Sequence, residues 1–146
     1  MNTPDIRRID AAATRPLRHA ILRPHQRPEQ LVYPGDDAAD TFHAGAFRAG
    51  RLLGIASVTP SPFPGADWPA PWQLRGMAVA TELRGQGYGR ALIAACLAHI
   101  AAHGGRTLWC NGRTSALLFY RALGFQPFGG EFVTDTGPHY VLWRGV

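Results

Sequence analysis

Residues 74 to 90, Leu-Arg-Gly-Met-Ala-Val-Ala-Thr-Glu-Leu-Arg-Gly-Gln-Gly-Tyr-Gly-Arg, constrain this chain more than any other segment. They read as an apolar strand, a glycine-rich turn carrying arginines, and the start of an amphipathic helix. Gly85, Gly87 and Gly89 remove side chains at the point where a helix N-terminus presents unbonded N–H groups and its positive end. Such a turn suits a pyrophosphate. A glycine run also serves plain steric needs, because strand-to-helix turns often require positive φ or close packing. Two nucleotide readings fail on spacing. A Walker A loop needs Gly-Lys followed by Ser or Thr, which is missing here. A dinucleotide fingerprint needs glycine where Arg90 stands and an acid about 20 residues on, and residues 103 to 107 offer none. What survives is Arg84-x-x-Gly-x-Gly, a loop that lets phosphates approach the backbone.

Composition bounds the rest. A chain of 146 residues predicts one domain with one core. With 46% hydrophobic and 17% charged residues, neither disorder nor membrane spanning is expected. No apolar run reaches the ~18 residues of a span, and the N-terminus shows no apolar signal core, so a cytoplasmic location is expected. Cys96 and Cys110 lie in apolar helix and strand contexts and predict two buried, reduced thiols. The net charge is +5 and every basic side chain other than histidine is arginine. That is either compositional bias or attraction of an anionic ligand. No basic run or basic–aromatic ladder points to nucleic acid. The six histidines lack ligand spacing, so no metal is expected.

Along the chain, strand and helix signals alternate. Residues 5–10 predict a strand, and 14–22 a helix starting at Thr14 with Pro16 in its first turn. Residues 23–40 hold Pro24, Pro28, Pro34 and Gly35 and predict a loop with at most a helical turn. Residues 42–48 and 52–59 predict a hairpin turning at Ala49-Gly50. The proline-rich stretch 60–71 predicts a rigid loop, and 72–80 the fourth strand. Residues 87–103 carry an apolar stripe (Leu92, Ile93, Cys96, Leu97, Ile100) and predict a helix ended by Gly104-Gly105. Residues 107–111 predict the fifth strand, 115–123 a helix stopped by Gly124, and 125–128, 132–134 and 140–143 the closing strands. This order implies a mixed sheet with helices on its faces.

The Leu-Arg-Gly-Met-Ala-Val strand with its Arg-Gly-x-Gly-x-Gly-Arg-Ala-Leu turn, followed by Phe119-Tyr120-Arg121-Ala122-Leu123-Gly124-Phe125, resembles the GNAT superfamily of acyl-CoA-dependent N-acyltransferases. The resemblance covers residues 72 to 128 well and the N-terminal half by element order. It implies a single-domain α/β fold over residues 1–146. Its sheet would be mixed and mostly antiparallel, with six to seven strands splayed between the fourth and fifth and helices on both faces. It further implies that Met77, Ala78 and Val79 offer backbone groups to the pantetheine arm and the thioester carbonyl. The turn of Arg84, Gly85, Gln86, Gly87, Tyr88, Gly89 and Arg90 would hold the pyrophosphate. Tyr120 would protonate the leaving thiolate, and Asn111 would hydrogen-bond the pantetheine.

Each role has a plainer counterpart. Met77 and Val79 also suit a sheet core, Tyr120 suits a core aromatic, and Asn111 suits a strand-to-helix cap. Arg113 stands where many members of the family carry an asparagine; it would meet either a cofactor phosphate or the surface. Glu131 and His139 flank the last hairpin and are the candidates for the base that takes the amine proton, or else a hairpin acid and a packed histidine. Arg18, His19 and His43 rank next; His99 and His103 read as structural. The loops 24–40 and 60–71 are expected to border the acceptor, with Asp67 and Trp68 either meeting an amine by charge and cation–π contact or belonging to an ordinary loop. The expected function is N-acetyl transfer from acetyl-CoA to a primary amine, small molecule or peptide, by direct attack in a ternary complex. The alternative is a silent GNAT-fold acyl-CoA-binding or sensor protein. A monomer or homodimer is expected, with no nucleic-acid or membrane partner.

Overall fold

Asp10 ends the first strand and begins the first helix: its Oδ1 accepts the Ala13 N–H at 2.8 Å, the usual work of an N-cap carboxylate. The computed structural model describes residues 3–146. The strands are β1 (Asp5–Ile9), β2 (Phe42–Arg48), β3 (Arg51–Pro60), β4 (Pro71–Val79), β5 (Thr107–Arg113), β6 (Gln126–Thr134) and β7 (Gly137–Gly145). The helices are α1 (Ala11–Leu17), α2 (Tyr88–Ala102) and α3 (Leu117–Ala122). α1 therefore starts three residues before the position that Thr14 and Pro16 suggest. Pro16 lies inside it, and the chain then widens into a π turn over Arg18–Leu22. A proline without an N–H disturbs the ladder in this way.

The strands form one sheet in the order β1-β2-β3-β4-β5-β7-β6. Every neighbouring pair is antiparallel except β4 and β5. α2 and α3 cover one face over a core that includes Ala46, Val58, Leu74, Leu92, Ile100 and Leu142. α1 covers the other. The predicted strands 125–128 and 132–134 are one strand, β6, interrupted between Phe128 and Phe132. Residues 60–71 form no secondary structure beyond their two ends, and their rings make an aromatic stack: Trp68 lies 5.3 Å from Trp143 and 5.4 Å from Phe128.

Two features under α1 set the geometry of the sheet. One is Arg18, fully buried, whose guanidinium donates to Asp36 Oδ2 at 2.8 Å, Asp36 Oδ1 at 3.0 Å, the Leu31 carbonyl and Ser57 Oγ. His43 closes the network, with Nε2 donating to the Asp36 carbonyl and Nδ1 meeting Ser57 Oγ at 2.6 Å. The other is a bulge in β4: Ile55 pairs with Ala78 and Ser57 with Arg75, so Gly76 and Met77 together face Ala56. Gly76 has φ +60, and a Cβ there would lie 3.1 Å from Arg18 Nε. Only glycine meets both conditions comfortably. β4 and β5 pair only from Pro71–Thr107 to Gln73–Trp109. Past that point β4 stays with β3 and β5 with β7, and the sheet opens.

Asp36→Asn is expected to destabilise the fold by about 3–5 kcal/mol, because it leaves Arg18 buried with its charge unmatched. Burial alone would raise the Asp36 carboxyl, but hydrogen bonds from Arg18 and the Tyr33 N–H, with the charges of Arg18 and His43, hold it below its ordinary value. A carboxyl depressed on folding stabilises the protein above its unfolded pKa and loses that contribution as pH falls through the folded one. Urea midpoints measured across the acid range are expected to fall more steeply for the wild type than for Asp36→Asn. Parallel curves would contradict this assignment.

Candidate active site

The opening between β4 and β5 is a cleft of about 1000 Å³. One wall is residues 73–79 of β4 and the other residues 110–113 of β5. The turn before α2 closes one end, while Ile21–Arg23, Tyr33 and the β6–β7 hairpin close the other.

At the first end, Gly85 (φ +75) and Gly87 (φ +84) adopt left-handed conformations, and a Cβ on either would meet nothing within 4 Å. Their bareness therefore serves open space, not packing. Gly87 caps α2 without a side-chain hydrogen bond, so the N–H groups of Tyr88, Gly89 and Arg90 have no intrahelical acceptor. Arg84 and Arg90 are exposed on the lining beside them. Bare donors, a helix N-terminus and two arginines make an anion seat. The Gln86 side chain turns elsewhere: its amide donates to the Glu82 carbonyl at 2.7 Å and its Oε1 accepts from Arg48.

In the middle, β4 has lost β5 as a partner along one edge. The Ala80 N–H donates to the Leu53 carbonyl, and Ala78 pairs with Ile55. Backbone alternation then points the Val79 groups toward the cleft and those of Ala78 toward β3. Met77 lies in the bulge and lines the cleft with them. Across the gap, Asn111 is exposed on the lining, inside β5 rather than at a helix cap. Arg113 donates to the Leu22 carbonyl at 2.8 Å, tying the end of β5 to the segment after α1.

Tyr120 is on α3, which ends in Gly124 (φ +88) with the Phe125 N–H donating back to the Tyr120 carbonyl, a Schellman closure. The phenol ring rests on Gly112, where a Cβ would sit 3.2 Å from Cε2. It is 7% exposed yet lines the cleft. Burial pushes its hydroxyl well above the ordinary phenol range, and the neighbouring Cys110, within hydrogen-bonding reach, adds to the shift. The Cys110 thiol is itself pushed up to about 12 by burial. The phenol thus stays protonated, and any thiolate beside it would be strongly basic.

His139 is buried on β7 and lines the cleft. Its Nδ1 lies 2.8 Å from the Gly137 carbonyl, which only accepts, so Nδ1 carries the proton. In the neutral ring Nε2 then holds the free lone pair, with Thr136 Oγ1 at 3.5 Å. His139 pairs with Arg113 in the ladder, and cross-strand partners share a face. Arg113 reaches toward the segment after α1, so His139 faces that side. Tyr120, over Gly112, approaches from the face of α2 and α3.

Glu131 is not brought to the cleft. It is exposed on β6, where its Oε2 accepts the Thr114 hydroxyl at 2.8 Å. His43 has both nitrogens engaged beneath α1, and Arg18 is committed to Asp36. His99, on α2, and His103, at its C-cap, stack on each other at 4.0 Å, outside the lining. The loop 24–40 borders the cleft through Tyr33, whereas Asp67 and Trp68 do not line it. Sequence reasoning missed Arg75, which lines the cleft beside Tyr33. Its signal was a charged residue, the one in a strand of mostly apolar side chains, directly before Gly76. Among the described residues no cluster of three or more His, Cys, Asp or Glu side chains is placed to hold a metal. No described helix is long and apolar enough to cross a membrane.

Known proteins share this arrangement. The Acetyltransferase (GNAT) family pattern matches residues 5–125. An uncharacterized N-acetyltransferase of Bacillus subtilis, YitI, is 36% identical over 141 residues, covering 96% of this chain and 95% of that one. Escherichia coli ElaA superposes with a TM-score of 0.78 at 20% identity, over 97% of this chain and 99% of that one. An aminoglycoside 6'-N-acetyltransferase complexed with coenzyme A superposes with a TM-score of 0.75 at 14% identity, over 97% and 96% of the two chains. These last two speak to the fold; the family pattern and the Bacillus relative speak to the chain itself. With the family pattern matched over most of its length and a relative of 36% identity along nearly all of it, this chain belongs to the GNAT family of acetyltransferases.

Proposed function

We propose that the cleft binds acetyl-CoA and a primary amine together and moves the acetyl group by direct attack of the amine, with no acyl-enzyme. The observation that carries this reading is the approach of two proton-handling groups to one opening from opposite faces of the sheet, Tyr120 from one and His139 from the other. Residues 84–90 would hold the pyrophosphate through backbone N–H groups, with Arg84 and Arg90 adding charge; Gln86 would contribute its backbone alone. The free edge at Met77 and Val79 would take the pantetheine amides, with Asn111 opposite, and Ala78 would keep that edge bound to β3. An N–H of this edge would polarise the acyl carbonyl.

A bound acetyl-CoA supplies a thioester whose carbon accepts the amine and whose sulfur departs with the electrons of the broken C–S bond. His139 Nε2 takes the proton that an ammonium nitrogen must lose before it can attack, and the second proton, released as the C–N bond forms, passes to solvent. Tyr120 gives its phenolic proton to the sulfur and regains one from solvent. Burial matches this donor to its acceptor, since the environment that raises the phenol raises a thiolate too. Neither cysteine competes as nucleophile: Cys96 and Cys110 are fully buried thiols, both pushed up to about 12. We place the protein in the cytoplasm, where such thiols remain reduced. Glu131, held by Thr114 outside the lining, has no step to perform.

Three outcomes test these roles. Tyr120→Phe is expected to lower kcat by about a hundredfold or more, the usual worth of a positioned general acid, while calorimetry shows CoA affinity unchanged. CoA binding with no thiol release from acetyl-CoA over a broad amine panel, and no effect of Tyr120→Phe, would establish the silent binding protein instead. His139→Gln is expected to depress kcat/KM most at neutral pH and to recover as pH rises, because the amine then arrives already deprotonated. An equal loss at every pH would mark His139 as structural. Gly85→Ala is expected to weaken CoA binding roughly tenfold, by strain at positive φ costing about 1–2 kcal/mol and by a methyl in the anion seat; calorimetry reads the affinity, and an unchanged value would move the pyrophosphate elsewhere.

A further inference from the structure

Among the described residues, one cation at the far end of the cleft, Arg75, has no carboxylate or other hydrogen-bond acceptor. Arg75 stands opposite Ser57 in the β3–β4 ladder, which puts its side chain on the α1 face with Arg18. Its guanidinium lies 4.7 Å from the centre of the Tyr33 ring, against which Arg18 also packs at 4.0 Å. Among the described residues no carboxylate, carbonyl or hydroxyl accepts a hydrogen bond from it. The neighbouring arginines are already engaged: Arg18 by Asp36, Arg23 by Asp135 at 3.2 Å, and Arg113 by the Leu22 carbonyl. Burial pushes the Arg75 guanidinium below its ordinary value, and the charges of Arg18 and Arg23 add to this against the opposing pull of Tyr33 and Asp36. A half-buried cation left with all its donors free is costly unless something supplies the anion.

The lining around it narrows what that anion is. Asp135 is the only carboxylate among the described lining residues, and Arg23 already holds it. A polycationic acceptor would find no acid to receive it and three arginines to repel it. A single unmatched guanidinium suits a single negative charge, and its planar fork matches a carboxylate. Ile21 and Leu22 give the same end an apolar wall. His139 faces the same side of the sheet as Arg75.

We propose that the acceptor is a primary amine bearing a carboxylate, an amino-acid-like molecule whose anion pairs with Arg75 while its amine lies toward His139. This rests on the reading of the cleft as an acetyl-transfer site and names its substrate class.

The test separates binding from turnover. Protein saturated with CoA is titrated by calorimetry with N-acetylglycine, N-acetylleucine and N-acetylphenylalanine, with the three matching carboxamides, and with N-acetylphosphoethanolamine. At least one carboxylate is expected to bind about 10- to 100-fold tighter than its carboxamide, the span expected for a hydrogen-bonded charge. Arg75→Gln is expected to erase that difference and leave carboxamide and CoA affinities unchanged, while Arg75→Lys keeps part of it. Carboxamides binding as well as carboxylates, no carboxylate binding, the phosphate binding tightest, or Arg75→Gln weakening both classes alike would each overturn the proposal. Thiol release with the corresponding free amines is measured separately. Carboxylate-selective binding without thiol release fails the transfer reading and leaves the anion site standing. Turnover of neutral amines as fast as amino acids does the reverse.

Discussion

The rest of the structure depends on the contact between Arg18 and the β4 bulge. A fully buried guanidinium, held by Asp36, Ser57 and the Leu31 carbonyl, stands where a side chain on Gly76 would have to go. The glycine turns to positive φ, β4 gains a residue against β3, and its outer edge no longer tracks β5. Burying an ion pair is seldom a route to stability alone. Here the pair packs against the bulge beside which the sheet parts, and that parting creates the cleft.

A cleft made by parting two strands is open on both faces of the sheet, which suits a reaction with two substrates. The bare glycines and the start of α2 gather at one end, with Arg84 and Arg90. Arg23, Arg75 and Arg113 gather at the other, on the α1 side. Tyr120 comes from the face of α2 and α3 and His139 from the opposite face, so the proposed acid and base need not compete for one position. The Arg23–Asp135 pair and the Arg113–Leu22 bond join the segment after α1 to the β6–β7 hairpin and to β5. The N-terminal part of the chain thereby becomes a wall of the site instead of a mere cover for the sheet.

The backbone geometry of the proposed donor seat was legible in the sequence because its requirements are local. Gly85, Gly87 and Gly89 before an apolar stripe, and Phe119-Tyr120 before Leu123-Gly124-Phe125, act through backbone shape over a few residues. The splay between the fourth and fifth strands followed from the family resemblance those motifs carried. The acceptor half was much less legible. Arg75 and Tyr33 meet only because loop 24–40 folds back over β4, and no spacing rule connects them. Glu131 and His139 looked equivalent as hairpin neighbours, yet the interruption of β6 between Phe128 and Phe132 sends the first toward Thr114 while the second lines the cleft. The start of α1 was misplaced because Pro16 favours a first-turn position; the Asp10 carboxylate, bonded to Ala13, overrides that preference. Trp68 found other rings to stack on rather than an amine to meet.

The central claim is that the free edge of β4 and the turn before α2 form one continuous seat for the donor. Amide hydrogen exchange with and without saturating CoA tests it most directly, because these N–H groups lack protein acceptors and are otherwise unprotected. The account predicts that exchange slows at Val79 and at residues 85–90, while amides of β1, at the edge of the sheet away from the cleft, are unchanged. Unaltered exchange at Val79 and at residues 85–90 under saturating CoA would contradict it.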